Sequence, residues 1–187
     1  MSWLNKVNPN IICDNFKIPF LIGAWENYFK ATFVVLMKYS CNRQAVYNRA
    51  LKQIRVTSED FESISNDSTL IEWIFADSFS FQRPIRICEN FKIIDDVIKL
   101  NDVFNKPLTN ESKPLQERLN EILDIRNQIV HCGEVGFNIT ADEVVSALVD
   151  GVMRAYETIC QYYSLIPEYD CLTVFPTQLD NSKFDEG

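Results

Sequence analysis

The chain has 187 residues, 47% hydrophobic and 12% aromatic, enough for one domain with its own core. No run of about 18 or more apolar residues is present, so no membrane span is expected. The start, MSWLNKVNPN, lacks the basic-then-apolar order of a signal peptide, and a cytoplasmic location is expected. Six cysteines (Cys13, Cys41, Cys88, Cys132, Cys160 and Cys171) occur without a CxxC and beside a single histidine. That set is poor in zinc ligands, so no metal is expected, and the thiols read as reduced and mostly buried.

The predicted elements are helices throughout. Residues 19–40 place Leu21, Ile22, Trp25, Phe29, Phe33 and Leu36 on one arc, with Pro19 at the expected helix start. Glu26 stands at the rim of that arc, where it can pair with Lys30 one turn on or meet a cation from another helix. A second helical stretch reaches about residue 55. The net charge of −8 argues against a nucleic-acid partner as a sum, but it is unevenly spread. Residues 1–58 carry 8 basic and 2 acidic groups, and residues 59–187 carry 10 and 24. Lys38, Arg43, Arg49, Lys52 and Arg55 form a basic strip that is either a solvated helix face or a phosphate-attracting surface.

Short helical segments near 58–64 and 69–77 follow, the second opening on TLIE at capping-box spacing. One helix is predicted over 86–105, from Ile87, Phe91, Ile94 and Ile98, ending before Pro107. Thr140 and Glu143 form a second capping-box pair at the head of a long helix over 140–166. The organisation expected is an N-terminal extension (1–14), one all-α antiparallel helical bundle (15–168) and a loosely ordered C-terminal tail (169–187).

Between the last two long helices lies LQERLNEILDIRNQIVHCGEV, residues 115–135. On a helical wheel Leu115, Leu119, Ile122, Leu123, Ile129 and Val130 share one stripe, and Arg126 falls inside it, about 20° from Leu115. A guanidinium cannot shed its charge, so something must meet it: a carboxylate, backbone carbonyls or an anion from outside. Asn127 and His131 follow at i, i+4 spacing along one edge, with Asp124 nearby, and Gly133 is placed to end the helix. These residues also fit a purely structural reading, with His131 favouring the helix dipole and Arg126 paired to an internal acid. Walker A, GxGxxG and HExxH sequences are absent. Cys132 is a poor partner for His131, because neighbours on a helix diverge by about 100°.

The segment RNQIVH matches the R-N-x-x-x-H signature of the HEPN family, small all-helical domains found in defence and toxin ribonucleases. The chain resembles that family over roughly residues 15–165, with the motif closing the penultimate long helix and GAWENYF on an earlier one. The resemblance implies a homodimer with a composite site that cuts RNA without a cofactor or metal. It makes His131 a general acid or base, Arg126 the phosphate ligand, Asn127 a hydrogen-bonding positioner and Glu26 a supporting polar group. It also implies a setting in toxin–antitoxin or phage defence, with a neutralising antitoxin or defence-complex partner. Two other readings stand beside it: a non-catalytic HEPN-like dimer that binds a nucleotide or a protein, and an unrelated helical interaction module.

Overall fold

The computed structural model describes residues 8–66, 70–108 and 112–164, and every element named among them is helical. The first, α1 (Pro9–Lys38), is 30 residues long. It starts ten residues before the expected point, because Asn8 and Pro9 make a complete helix start: the Asn8 side chain accepts the Asn10 N–H at 3.0 Å. Pro19 therefore lies inside the helix. Its ring removes one backbone N–H there, while the flanking Ile18 and Ile22 keep that part of the helix packed on the core.

Ile18, Ile22, Trp25, Phe29, Phe33 and Leu36 run down α1 as the core's spine. Phe29 lies at its centre, with ring centroids 4.5 Å from Trp25, 6.1 Å from Phe91 and 6.2 Å from Phe104. Edge-to-face pairs of this kind add about 0.5–1.5 kcal/mol each beyond area burial. Removing the fully buried Phe29 ring is worth about 3–5 kcal/mol.

Helices α2 (Arg43–Leu51), α3 (Ser58–Ser65) and α4 (Ile71–Asp77) follow. A capping box does form in this region, but at Thr57 and Asp60, whose side chains bond each other's backbone. Thr69 of the expected box lies outside the described residues, and α4 begins at Leu70 with no side-chain cap. Glu72 of that box turns inward instead. It is buried and accepts from the Tyr47 hydroxyl and from Arg43 Nη2 at 2.7 Å. Burial first, then the bond to Glu72, pushes the Tyr47 phenol up to about 12.

The helix predicted over 86–105 is two: α5 (Pro84–Ile94) and α6 (Leu100–Phe104). The chain breaks at Asp95, which adopts extended angles of φ −158° and ψ 134°. Its carboxylate accepts the Val97 N–H at 3.0 Å and the Tyr162 hydroxyl. A short acidic side chain that captures nearby backbone competes with helix continuation, and here it wins.

Helix α7 (Leu115–Asn127) passes into a π-helical turn (Gln128–Cys132), and α8 (Ala141–Ser164) completes the bundle. The second expected capping box is present, Thr140 Oγ1 accepting from Glu143 N and Glu143 Oε2 from Thr140 N. Helix α8 lies close against α1 and runs in the same sense, with the loop before it at Asn15 and Gly151 beside Trp25. A Cβ at Gly151 would stand 2.9 Å from Trp25 Cζ3, so glycine permits this approach. Lys30 pairs with Asp77, not with Glu26. Cys88 is buried, but Cys13, Cys41 and Cys132 are exposed, contrary to expectation. Among the described residues no helix is long and apolar enough to cross a membrane.

Candidate active site

Arg126 occupies the last turn of α7, where the core residues Leu119, Ile122 and Leu123 line the same helix. It is half-buried, and its Nη1 donates to Asn127 Oδ1 at 2.9 Å. Its Nε is fully buried with no hydrogen-bond partner, and no carboxylate among the described residues pairs with it. Among the described residues, then, no internal acid explains a cation in this stripe. A buried donor without an acceptor is costly, and the rest of the half-buried guanidinium still offers charged donors to an incoming anion.

His131 is exposed in the π turn, and no described residue bonds its imidazole. The turn changes the spacing argument. On a regular α-helix, residues five apart diverge by about 140°. A π turn, which repeats every i→i+5, closes part of that angle and draws His131 towards the face that carries Arg126. The regular wheel instead paired His131 with Asn127. Gly133 terminates the turn in the left-handed region at φ 67°, and Glu134 N–H closes it on Gln128 O at 3.3 Å.

Glu26 is half-buried and accepts from Gln82 Nε2 at 3.1 Å, while Trp25 Nε1 donates to the Gln82 carbonyl at 3.1 Å. These bonds hold the 82–83 segment against α1. From there Arg83 reaches α7, its Nη1 donating to Asn120 at 3.3 Å and its Nη2 to Asp124 at 2.8 Å. Asn120, Asp124, Asn127 and His131, spaced by four, three and four, form a polar edge along α7 into the π turn. Asp124 on that edge already has a cation.

Asn15 escaped the sequence reading. It is completely buried, and its Oδ1 accepts from Gly136 N at 2.9 Å and Phe137 N at 2.8 Å. Its Nδ2 donates to Phe137 O at 3.1 Å and Ile139 O at 3.2 Å. One side chain thus fixes the loop leaving the motif. The available signal was an asparagine in the core-facing register of α1, between Ile11 and Ile18. Next to it, the Lys17 ammonium and then the Ala141 backbone N–H hold the Asp14 carboxyl below its usual range.

The basic strip is not one surface with the motif. Arg43 is bound to Glu72, and Arg49 donates to the Ile93 and Ile94 carbonyls at 2.7 and 2.6 Å, closing the end of α5. Lys38, Lys52 and Arg55 are exposed. Lys38 stands 23 residues beyond Asn15 on α1, about 35 Å along its axis. Among the described residues no group of three His, Cys, Asp or Glu is placed to hold a metal ion.

The fold and site define an all-α protein that presents R-N-x-x-x-H at a helix end, with no carboxylate on the arginine among the described residues and the histidine open to solvent. The RiboL-PSP-HEPN family profile matches residues 14–162, and the chain belongs to that HEPN family. Comparison with curated proteins and with solved structures gave no significant match.

Proposed function

We propose that this chain is a metal-independent endoribonuclease that works as a homodimer with a composite site. The observation that carries the reading is Arg126: a half-buried guanidinium with a buried, unbonded Nε and no acid paired with it among the described residues, near an exposed His131. A phosphodiester is the ligand this pair is suited to, because the arginine offers charged donors and an imidazole can both take and give a proton.

In the reaction, a base removes the proton of the ribose 2′-hydroxyl, and that oxygen attacks the neighbouring phosphorus. The bond to the 5′-oxygen breaks as an acid gives that oxygen a proton, leaving a 2′,3′-cyclic phosphate and a 5′-hydroxyl. Arg126 neutralises the charge gathering on the phosphate oxygens, and Asn127 holds the arginine in place through the Nη1 bond. Each chain has a single histidine, so a two-fold dimer supplies the second proton-transfer group. Phe16 and Phe20 on α1, with Val145, Val149 and Met153 on α8, are exposed apolar side chains of the kind a symmetric interface buries. Glu26 supports the site through Gln82, and a setting in toxin–antitoxin or phage defence, with a neutralising partner, fits such an enzyme.

The test incubates the protein with a mixed RNA pool in EDTA, beside a folded His131→Ala variant. Cleavage by the wild type alone, leaving 2′,3′-cyclic phosphate ends, supports the reading. Cleavage by both points to another site. Cleavage by neither, across several RNAs and with the dimer verified, favours a nucleotide- or protein-binding HEPN module.

A further inference from the structure

The geometry points to a guanine-binding subsite immediately after His131, resting on the ribonuclease reading for the source of the base. Residues 132–137 line a cavity of about 460 Å³, formed by Cys132, Gly133, Glu134, Val135, Gly136 and Phe137. That volume lies within the range of about 300–1,000 Å³ seen for small-ligand sites. Cys132 follows His131 directly, so the cavity opens one residue, about 3.8 Å of chain, from the imidazole-bearing position. A phosphate held by Arg126 and His131 would deliver a flanking base here.

Three features make this more than a surface dip. The loop is preorganised, because the four bonds from the buried Asn15 fix Gly136, Phe137 and Ile139 before any ligand arrives. Gly133 and Gly136 adopt φ of 67° and 100°, so parts of the lining are bare backbone against which a flat ring can lie. Phe137 is half-buried, packed on the core with part of its ring left open, as a stacking side chain requires.

Glu134 supplies the discrimination. It is exposed, and among the described residues that line the cavity it is the one carboxylate. An ionised carboxylate only accepts hydrogen bonds. Guanine alone among the four RNA bases presents two neighbouring donors on its pairing edge, N1–H and the N2 amino group. Adenine and cytosine set one amino donor beside an acceptor nitrogen, which a carboxylate repels, and uracil sets one N–H between two carbonyls. A two-bond match against a mismatch of this kind separates bases strongly.

The experiment has two arms. In the first, RNA oligonucleotides that differ only in the nucleotides flanking the cleaved junction are digested by the wild type, Glu134→Gln and Phe137→Leu. The expected result is cleavage next to guanine. Glu134→Gln lowers the guanine-to-cytosine rate ratio at least tenfold, and Phe137→Leu slows cleavage at every junction. Cleavage without base preference, or a preference unchanged in Glu134→Gln, overturns the subsite while leaving the ribonuclease intact. The second arm titrates the wild type with guanosine 3′-monophosphate and cytidine 3′-monophosphate, following backbone amide NMR shifts. Saturable shifts at Gly133 to Phe137 with the guanosine nucleotide, and weaker ones with the cytidine, support the subsite even if no RNA is cut. Equal shifts, or none in the loop, overturn it.

Discussion

On the proposed reading, Arg126 sets function against stability within one side chain. Its buried Nε has no acceptor among the described residues, and the core-facing stripe of α7 is otherwise apolar, so the folded chain carries an uncompensated desolvation cost. Arg126→Met, which keeps the length and fills the stripe with apolar atoms, is expected to raise stability by about 1 kcal/mol, read from urea midpoints at constant slope. The same variant should lose RNA cleavage altogether. A guanidinium serving only the fold would give the opposite result, a lower midpoint. This residue was legible in the sequence because a charge inside an apolar stripe is out of place at the level of a single helix. Asn15 was not legible. Its hydrogen-bond partners lie 121 to 124 residues away and are backbone groups, which no side-chain pattern reveals.

At the scale of elements, Gly151 shows two effects in competition. Alanine would gain about 1 kcal/mol in helix propensity within α8. The new methyl would also press 2.9 Å from the buried Trp25 ring, and overpacking of that kind costs about 1–3 kcal/mol. The ring lies in the core and has little room to yield, so Gly151→Ala should destabilise by about 1 kcal/mol net, measured by chemical denaturation. The caps make a prediction in pH. Thr140, through its backbone N–H and then its hydroxyl, holds the Glu143 carboxyl below its usual range. A depressed carboxylate contributes stability above its unfolded value, about pH 4.3, and loses it as pH falls through the folded value. The melting temperature should fall on acidification below about pH 5, and less steeply in Glu143→Gln. Most helices were legible from 3.6-residue periodicity, because burying one face is what makes them helices here. The break at Asp95 was missed because a local side-chain bond overrides a continuing apolar pattern. The π turn was missed because a regular wheel assumes the geometry that it departs from.

At the scale of the whole molecule, the proposed reading calls for a second copy, on the strength of the single histidine and the exposed apolar side chains of α1 and α8. Val149→Asp places a charge between Val145 and Met153 on α8, on an exposed position where the fold itself should tolerate it. Sedimentation should show a shift to monomer, with cleavage lost and the helical circular dichroism unchanged. A monomer that still cleaves would sink the composite site while sparing the ribonuclease. The fold class was readable at this scale from helical periodicity, and the family from six residues in their helical setting. The separation of the basic strip from the motif was not, because charge counts along a chain do not say that Arg43 and Arg49 are committed to internal partners.

The π turn also makes the catalytic arrangement a matter of counting. A helix that ends in a wider coil holds one residue more than the same length of regular helix needs. Deleting Gln128, which is exposed, would let that stretch relax into ordinary α-helix, with α7, α8 and the core between them retained. Arg126 and the histidine would then stand four apart on a regular helix, about 40° around it and on one face. The π turn brings them towards one face at a separation of five by widening the coil. Insertions and deletions are ordinarily judged by whether the chain still folds. In this segment the quantity to follow is the face that two side chains share, and a one-residue change of length can leave it intact.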